Sequence, residues 1–345
     1  MIPDLTVLVP CRNEVRFVGR CLDSILASDY PPGRMEVLVI DGASTDGTRE
    51  LIAAYQARDA RVRRIDNPEE ITPCALNRGI RAARGEVIAR VDAHAAVAPD
   101  YFTLAVEHLA ASGADNVGGV MRTLPQDSGP WAEAIVAALS HRFGVGNSHF
   151  RVGSRAPRWV DTVFGGCWRR EVFARVGLFH PSLARSQDIE FSRRLAAARG
   201  RTLLVPAMAS DYYARSTLRA FWRHNLTNGE WSILPFLYSP VMPVSVRHLV
   251  PLSFVAALAA SLAAWYWTVL PLAVVTVPYV LASALASLEV AVRARRARYA
   301  LRMPFVFLVL HVSYGLGSLR GVAQLALHWW RRRSLSEEQS CIPQS

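Results

Sequence analysis

The chain has 345 residues, 51% of them hydrophobic and 19% charged, with a formal net charge of +11 and a mean hydropathy of +0.17. So much apolar residue excludes a disordered, nucleic-acid-binding tail, and so much charge excludes a protein lying wholly within a bilayer. One soluble part joined to one strongly apolar part fits both numbers. Residues 5–10 (LTVLVP) are an apolar, β-rich run closed by proline, which predicts a buried strand. Val15, Val18, Leu22, Ile25 and Leu26 then recur at helical spacing, and this amphipathic helix ends near Ser28. After the turn at Pro31–Gly33, residues 36–41 (EVLVID) predict a second strand. Ser44, Thr45 and Asp46 supply N-cap chemistry for a helix near 48–57. A short third strand is expected over 62–66, a helix opened by Thr72 and Pro73 comes next, and residues 86–92 (EVIARVD) predict a fourth strand. Alternation at this pace predicts a parallel, doubly wound α/β sheet, in which ligands gather at the carboxyl ends of the strands. Asp41 and Asp92 both fall at such ends. Farther on, helices are expected over 99–112 and 187–199 and a strand over 115–120.

Residues 217–247 mix aromatics, prolines and Arg, which suits either an amphipathic segment lying on a membrane or a buried helix pair. From Leu249 to Leu288 there are 40 residues without a charge, enough for two spans of about 20 residues each. Trp265–Trp267 and Pro271 mark an interfacial turn between them. All 39 basic residues of the chain are Arg. Up to His248 there are 30 Arg against 25 acids, and beyond it 9 against 3. The most apolar part therefore carries more than half of the net charge, which points to a membrane facing anionic lipid and away from nucleic acid. Arg293, Arg295, Arg296, Arg298 and Arg302 form a basic loop that the positive-inside rule places in the cytosol, together with the N-terminal part. Residues 303–319 are a third candidate span. A third crossing would export Arg331–Arg333, whereas a re-entrant or interfacial segment would not. The expected organisation is a cytosolic domain over 1–216, an interfacial segment over 217–247, a membrane region over 248–333 and a polar tail over 334–345. Cys11, Cys21, Cys74, Cys167 and Cys341 are scattered with no CxxC pair or zinc spacing, as expected of reduced thiols. Asp4 and the shortness of the first apolar run argue against a signal peptide.

Three elements with chemical potential follow the first, second and fourth strands: Pro10–Glu14 (PCRNE), Asp41–Thr48 (DGASTDGT) and Asp92–His94 (DAH). Turn chemistry would explain any one of them, but three together at strand ends are much harder to dismiss. Neither GxGxxG nor GxxxxGK[ST] occurs, so a dinucleotide or P-loop site is not supported. The segments VPCRNE, VIDGASTDGT, ALNRGIRAARGEVIARVDAH and SQDIEFSRRL, in that order over about residues 4–235, resemble family 2 glycosyltransferases of the GT-A fold. VDAH with HVSYGLGSL near the C-terminus is most similar to the succinoglycan-type glucosyltransferase subgroup.

The resemblance implies a doubly wound, mixed-sheet, Rossmann-like nucleotide-sugar domain followed by C-terminal transmembrane helices. It implies that Pro10, Asn13, Glu14 and Asp41 hold the base and ribose of a nucleotide-diphosphate sugar. Asn77, Gly79 and Arg81 would lie near the nucleotide and diphosphate. Asp92 and His94 would occupy the metal-binding aspartate-any-aspartate position, and Asp188 would be the catalytic base. The chemistry suits these types, because a departing diphosphate needs a hard divalent cation, Mn²⁺ or Mg²⁺, and an attacking hydroxyl needs a base. His94 replaces the second aspartate; it favours Mn²⁺, which accepts imidazole, or else leaves Asp92 as the main ligand. Glu190 competes with Asp188, since residues two apart on a helix point to different faces. Gly165, Gly166 and Trp168 would form an acceptor floor, with core packing as the alternative for Trp168. Processive synthases carry a glutamine-x-x-arginine-tryptophan motif; Asn228–Trp231 here lacks its Arg. The expected activity is an inverting, metal-dependent transfer of one sugar to a lipid-linked, polyprenyl-diphosphate saccharide at the inner face of the cell membrane. Alternatives are loading of a sugar directly on polyprenyl phosphate, or a non-catalytic membrane-anchored assembly partner.

Overall fold

The apolar runs of the sequence are continuous, not alternating, because both of their faces are covered. In the computed structural model, which describes residues 2–340 and their side chains as far as 331, β1 (Leu5–Cys11) shows this directly. Its Leu5, Val7 and Val9 enter one core with Val18, Leu22 and Phe102, while Leu8 enters a second with Leu76, Trp168 and Phe191. Such double burial is what a parallel strand between two helical layers requires. After β1 come α1 (Val18–Leu26), β2 (Met35–Asp41), α2 (Thr48–Arg58), β3 (Val62–Asp66), α3 (Thr72–Ala82), β4 (Val87–Arg90) and β5 (Ala95–Val97). They are followed by α4 (Tyr101–Ser112), β6 (Asn116–Pro125), α5 (Ala132–Leu139), two single turns α6 (Arg142–Val145) and α7 (His149–Val152), and β7 (Arg158–Val160). Then come β8 (Cys167–Arg169), α8 (Glu171–Val176), α9 (Gln187–Ala197), β9 (Thr202–Ala214), α10 (Leu218–Glu230), α11 (Val250–Ala263), α12 (Leu270–Ala294) and α13 (Arg298–Ser340).

Among the described residues nine strands form one sheet in the order β3-β2-β1-β4-β8-β6-β9-β5, with β7 also on β9. β2, β1 and β4 run parallel, and β3 continues them in the same direction. β8 lies antiparallel between β4 and β6. The sheet is therefore mixed, as the family resemblance implied, and not wholly parallel as the alternation alone predicted. The three-residue strands β5, β7 and β8 are too short to carry a period. Since β1 pairs with both β2 and β4, the chain reverses its direction of winding there, and the loops after these strands share one crevice. Cys11, Cys21, Cys74 and Cys167 are free thiols; Cys341 lies outside the described residues.

The chain divides into two units, residues 1–128 with 139–215 and residues 129–138 with 216–345. The second unit recruits residues 129–138 from within the span that the sequence assigns to the soluble domain. Glu133 explains why: it accepts from Arg296 at 2.8 Å and pairs with Arg298, while Trp131 packs on Phe305 at 5.6 Å between ring centres.

Three helices in this second unit are long and apolar enough to cross a membrane: Val246–Tyr266, Leu270–Ala294 and Arg298–Arg331. Their exposed positions include Leu262, Val274, Val277, Leu281, Leu285 and Leu288, whereas Ser283, Ser287 and Ser313 are buried between them. Apolar groups outside and small hydroxyl residues inside is the arrangement expected of helices surrounded by lipid. The third segment is one uninterrupted helix, long and apolar enough to cross a membrane over Arg298–Arg331. The expected polar tail at 334–345 is helical as far as Ser340, and residues 341–345 lie outside the described part.

Within the segment 217–247, α10 buries Phe221, Asn225 and Gly229. The seam with α13 is backbone against backbone. A Cβ at Gly229 would lie 1.9 Å from the Tyr314 carbonyl oxygen, and one at Gly317 1.9 Å from that of Leu226. Ser232 and Ser318 hydroxyls meet at 3.2 Å, and Gln324 donates to Glu230 at 2.7 Å. Gly317→Val is therefore expected to destabilise the seam by about 3 kcal/mol. Thermal unfolding in detergent should fall, and trypsin should gain access to Arg219 and Arg223 on α10.

Candidate active site

The loops after β1 and β2 are laced together through side chains of both. The amide of Asn13 donates to Ser44 Oγ at 2.8 Å, that of Glu14 to Thr48 Oγ1 at 2.9 Å, and that of Val15 to Asp46 Oδ2 at 3.2 Å. Asn13 Oδ1 accepts in return from Thr45 at 2.9 Å. Each loop contains a residue in the left-handed region, Asn13 at φ 53° and Ala43 at φ 54°, a conformation held only where neighbouring bonds impose it. Asp41 is fully buried, receives Ser44 N–H at 3.3 Å on both oxygens and pairs with Arg49 at 3.3 Å.

The loop after β4 joins them through Glu14, whose Oε1 lies 3.0 Å from His94 Nδ1. Arg90 and Asp92, two apart on an extended segment, project to the same side, and Arg90 Nε donates to Asp92 Oδ1 at 2.8 Å. Burial acts to raise the Asp92 pKa, but Arg90 and His94 outweigh it and hold the carboxyl below its ordinary value. Burial likewise opposes protonation of His94, yet the bond to Glu14 and the Asp92 charge lift its pKa above the usual value.

Asp188 stands in the first turn of α9, after Ser186 at φ 59°. It is half-buried, and its Oδ1 accepts from its neighbour Ile189 N–H at 2.9 Å. Its charge acts on both Arg90, the partner of Asp92, and Arg151. Glu190 faces elsewhere. It is 1% exposed and holds Arg194 in a two-point pair at 2.7 and 3.0 Å. That pair links α9 to the loop after α8, where Arg194 donates to the carbonyls of Val176 and Leu178. Glu190→Ala is expected to destabilise the domain by about 3 kcal/mol by leaving Arg194 without its carboxylate. Chemical denaturation should report the loss.

Not every residue singled out in the sequence reaches the crevice. Asn77 is buried and uses both ends of its amide on the backbone of Phe179, donating at 2.8 Å and accepting at 2.9 Å. Gly79 packs α3 on the sheet, where a Cβ would come within 2.8 Å of Leu8. Arg81 is exposed on the same helix, and Pro10 is half-buried at the end of β1. For Trp168 the acceptor-floor expectation is corrected: the indole is 5% exposed, packed with Phe173, Phe179 and Phe191 at ring separations of 5.8, 6.3 and 6.1 Å. Gly165 and Gly166, at φ 67° and 109°, bring the chain against Arg90, whose amide donates to Gly166 O at 2.9 Å. The sequence reading missed Arg90, Arg151 and Tyr212. Arg90 did leave a signal, a lone charge inside an apolar strand; Tyr212 reaches the site only through the pairing of β9 with β5.

Among the described residues no group of three or more His, Cys, Asp and Glu is arranged to hold a metal ion. Asp92 and His94 supply a two-donor set. Glu14 occupies His94 Nδ1 and leaves Nε2, and Arg90 occupies Asp92 Oδ1 and leaves Oδ2. A carboxylate behind the imidazole is the arrangement that orients a metal-binding His. The residues fit a divalent cation whose other ligands come from phosphate oxygens and water.

A strand-end crevice of carboxylates, imidazole and guanidiniums thus lies on a mixed α/β sheet. The profile described as "Glycosyl transferase family 2" matches residues 6–177, and the chain belongs to that family and is a glycosyltransferase. It is 30% identical to the succinoglycan biosynthesis protein ExoA of Rhizobium meliloti (strain 1021) over 250 residues, 72% of this chain and 74% of the relative. It is 24% identical, over 65% of this chain and 71% of the relative, to a dolichyl N-acetyl-alpha-D-glucosaminyl phosphate 3-beta-D-2,3-diacetamido-2,3-dideoxy-beta-D-glucuronosyltransferase of Methanococcus voltae. Among solved structures, the mannosyltransferase PcManGT of Pyrobaculum calidifontis in complex with GDP-Man and Mn²⁺ shares the fold. The TM-score is 0.62 at 22% identity, over 93% of this chain and 88% of that one.

Proposed function

We propose that the protein is an inverting, divalent-cation-dependent glycosyltransferase that moves one sugar from a nucleoside diphosphate to a polyprenyl-diphosphate-linked saccharide. The observation that carries this reading is the meeting of the Asp92–His94 turn and the Asp188 helix start around Arg90. Asp92 and His94 would hold the cation, which when bound supplies positive charge opposite the donor diphosphate. Asp188 takes the proton of the acceptor hydroxyl as its oxygen bonds to C1 of the sugar. The bond from C1 to the diphosphate oxygen breaks, and a single displacement inverts the configuration. Asn13, Glu14, Asp41 and the Ser44–Thr48 loop form the donor side, with Gly165 and Gly166 on the acceptor side.

The lipid-linked acceptor is supported by the apolar helices carried on the same chain. The hairpin of α11 and α12 returns the chain to its starting side, so the soluble domain and the basic turn 293–302 share the cytosolic face. That turn holds five Arg, more than the three at 331–333 which α13 would carry across, and the larger cluster sets the orientation.

Purified protein in detergent, incubated with labelled UDP-, GDP- and dTDP-sugars and lipid-linked acceptors, tests the reading. Consumption of one donor with a sugar added to a diphosphate lipid is expected. A product bearing a single phosphate would reassign the acceptor to polyprenyl phosphate, and no consumption of any donor would sink the reading.

A further inference from the structure

The segment between Gly146 and Gly153 carries a charge that the reading above leaves unused. Both glycines adopt left-handed φ, 63° and 86°, and the single turn α7 between them holds Arg151. The guanidinium lies over the rings of Phe150 and Tyr212, 5.5 and 5.7 Å from their centres. Tyr212 in turn meets the edge of His94 at 5.5 Å, so Arg151 stands one ring away from the Asp92–His94 turn. Asp188 acts on it electrostatically, and burial lowers its pKa; a guanidinium nevertheless stays charged in a protein. Its Nη1 is sealed from solvent and has no hydrogen-bond partner among the described residues. A buried donor left unmade is destabilising, and a charged one more so. An aliphatic side chain would avoid that loss, so the position calls for a hydrogen-bond acceptor that the protein itself does not provide. The planar fork of Arg suits phosphate oxygens.

We propose that Arg151, seated on the Tyr212 ring that meets His94, binds a phosphate oxyanion of the reactants. This rests on the glycosyltransferase reading of the same crevice. The oxyanion belongs to the departing nucleoside diphosphate or to the diphosphate of the acceptor lipid, two sources of one chemistry. Docking supplies the acceptor oxygens that Nη1 lacks, and the Gly146–Gly153 segment shifts to admit them. In the first case Arg151 takes up negative charge as the bond between C1 and the diphosphate oxygen breaks; in the second it seats the acceptor.

The full chain in detergent decides, as wild type, Arg151→Met and Arg151→Lys. Three quantities are read: the calorimetric Kd of UDP and GDP, donor hydrolysis without acceptor, and KM for the lipid-linked acceptor. Loss of the charge-assisted bonds is expected to change at least one of them by roughly fivefold or more, with part recovered in Arg151→Lys. A shift in nucleotide Kd or donor hydrolysis identifies the donor phosphate; a shift confined to acceptor KM identifies the acceptor phosphate. Smaller changes in all three overturn the proposal, even where unfolding temperature moves. Should Arg151→Met fail to fold, Arg151→Gln is read against the same threshold, since it removes both the charge and the fork. A wild type that binds nucleotide yet turns over no donor defeats the functional reading alone, because the calorimetric arm still decides Arg151.

Discussion

Replacing Asp188 with Asn is expected to lower turnover about 10³-fold while the affinity for nucleoside diphosphate stays within about threefold of wild type. The substitution keeps the shape and the acceptor for Ile189 N–H, so the start of α9 and the αL turn at Ser186 are retained. What is lost is a basic oxygen. An alcohol cannot give up its proton to an amide, so the acceptor hydroxyl must attack undissociated, and the barrier rises by the worth of a general base. Steady-state rates together with calorimetric binding of UDP and GDP separate chemistry from binding. Glu190→Gln serves as the control from the same helix. It lies two residues away and is 1% exposed against Arg194, so it is expected to lower stability and spare turnover in the folded fraction. Were Asp188→Asn to keep more than about a tenth of the activity, the base would have to be sought elsewhere in the crevice.

The contrast between these carboxylates shows where the sequence is legible. Helical periodicity says that residues two apart face differently, but nothing in QDIE says which of them meets solvent. Arg194 decides it, because two of its nitrogens close on Glu190 and two on the carbonyls of Val176 and Leu178. β1 and β2 were legible because both of their faces are buried and they are therefore largely apolar. The Asp and Gly clusters marked where they end. β8, with residues CWR, carries no such pattern, and it is what places Trp168 in the aromatic core instead of on a sugar. Likewise β9 brings Tyr212 opposite Ala95, across a separation that no local period spans. The long apolar helices α11 and α12 were plain from the absence of charge. The seam of α10 with α13 was not, because Gly229 and Gly317 only reveal a close approach once the helices are seen to cross.

Asp92→Asn is expected to reduce the gain in nucleoside diphosphate affinity on adding Mn²⁺ by about tenfold or more, with metal-free affinity little changed. Alanine would be the wrong probe. Asp92 Oδ1 accepts from Arg90, which is 8% exposed, and truncation would strand that guanidinium at a loss of about 3 kcal/mol. Asparagine keeps the accepting oxygen and removes only the charge that a cation would use. His94→Gln probes the other donor, and Glu14→Gln the carboxylate behind it, 3.0 Å from Nδ1. If the imidazole is a ligand oriented through Glu14, both variants weaken the Mn²⁺ effect, His94→Gln the more. If His94 instead meets phosphate directly, His94→Gln weakens nucleotide binding equally with and without Mn²⁺. Titrations of UDP and GDP in the presence and absence of Mn²⁺ and Mg²⁺ distinguish these results. An Asp92→Asn protein with the wild-type cation dependence would remove the metal from this turn altogether. The charge of the departing diphosphate would then fall to Arg90 and to Arg151 over the Tyr212 ring.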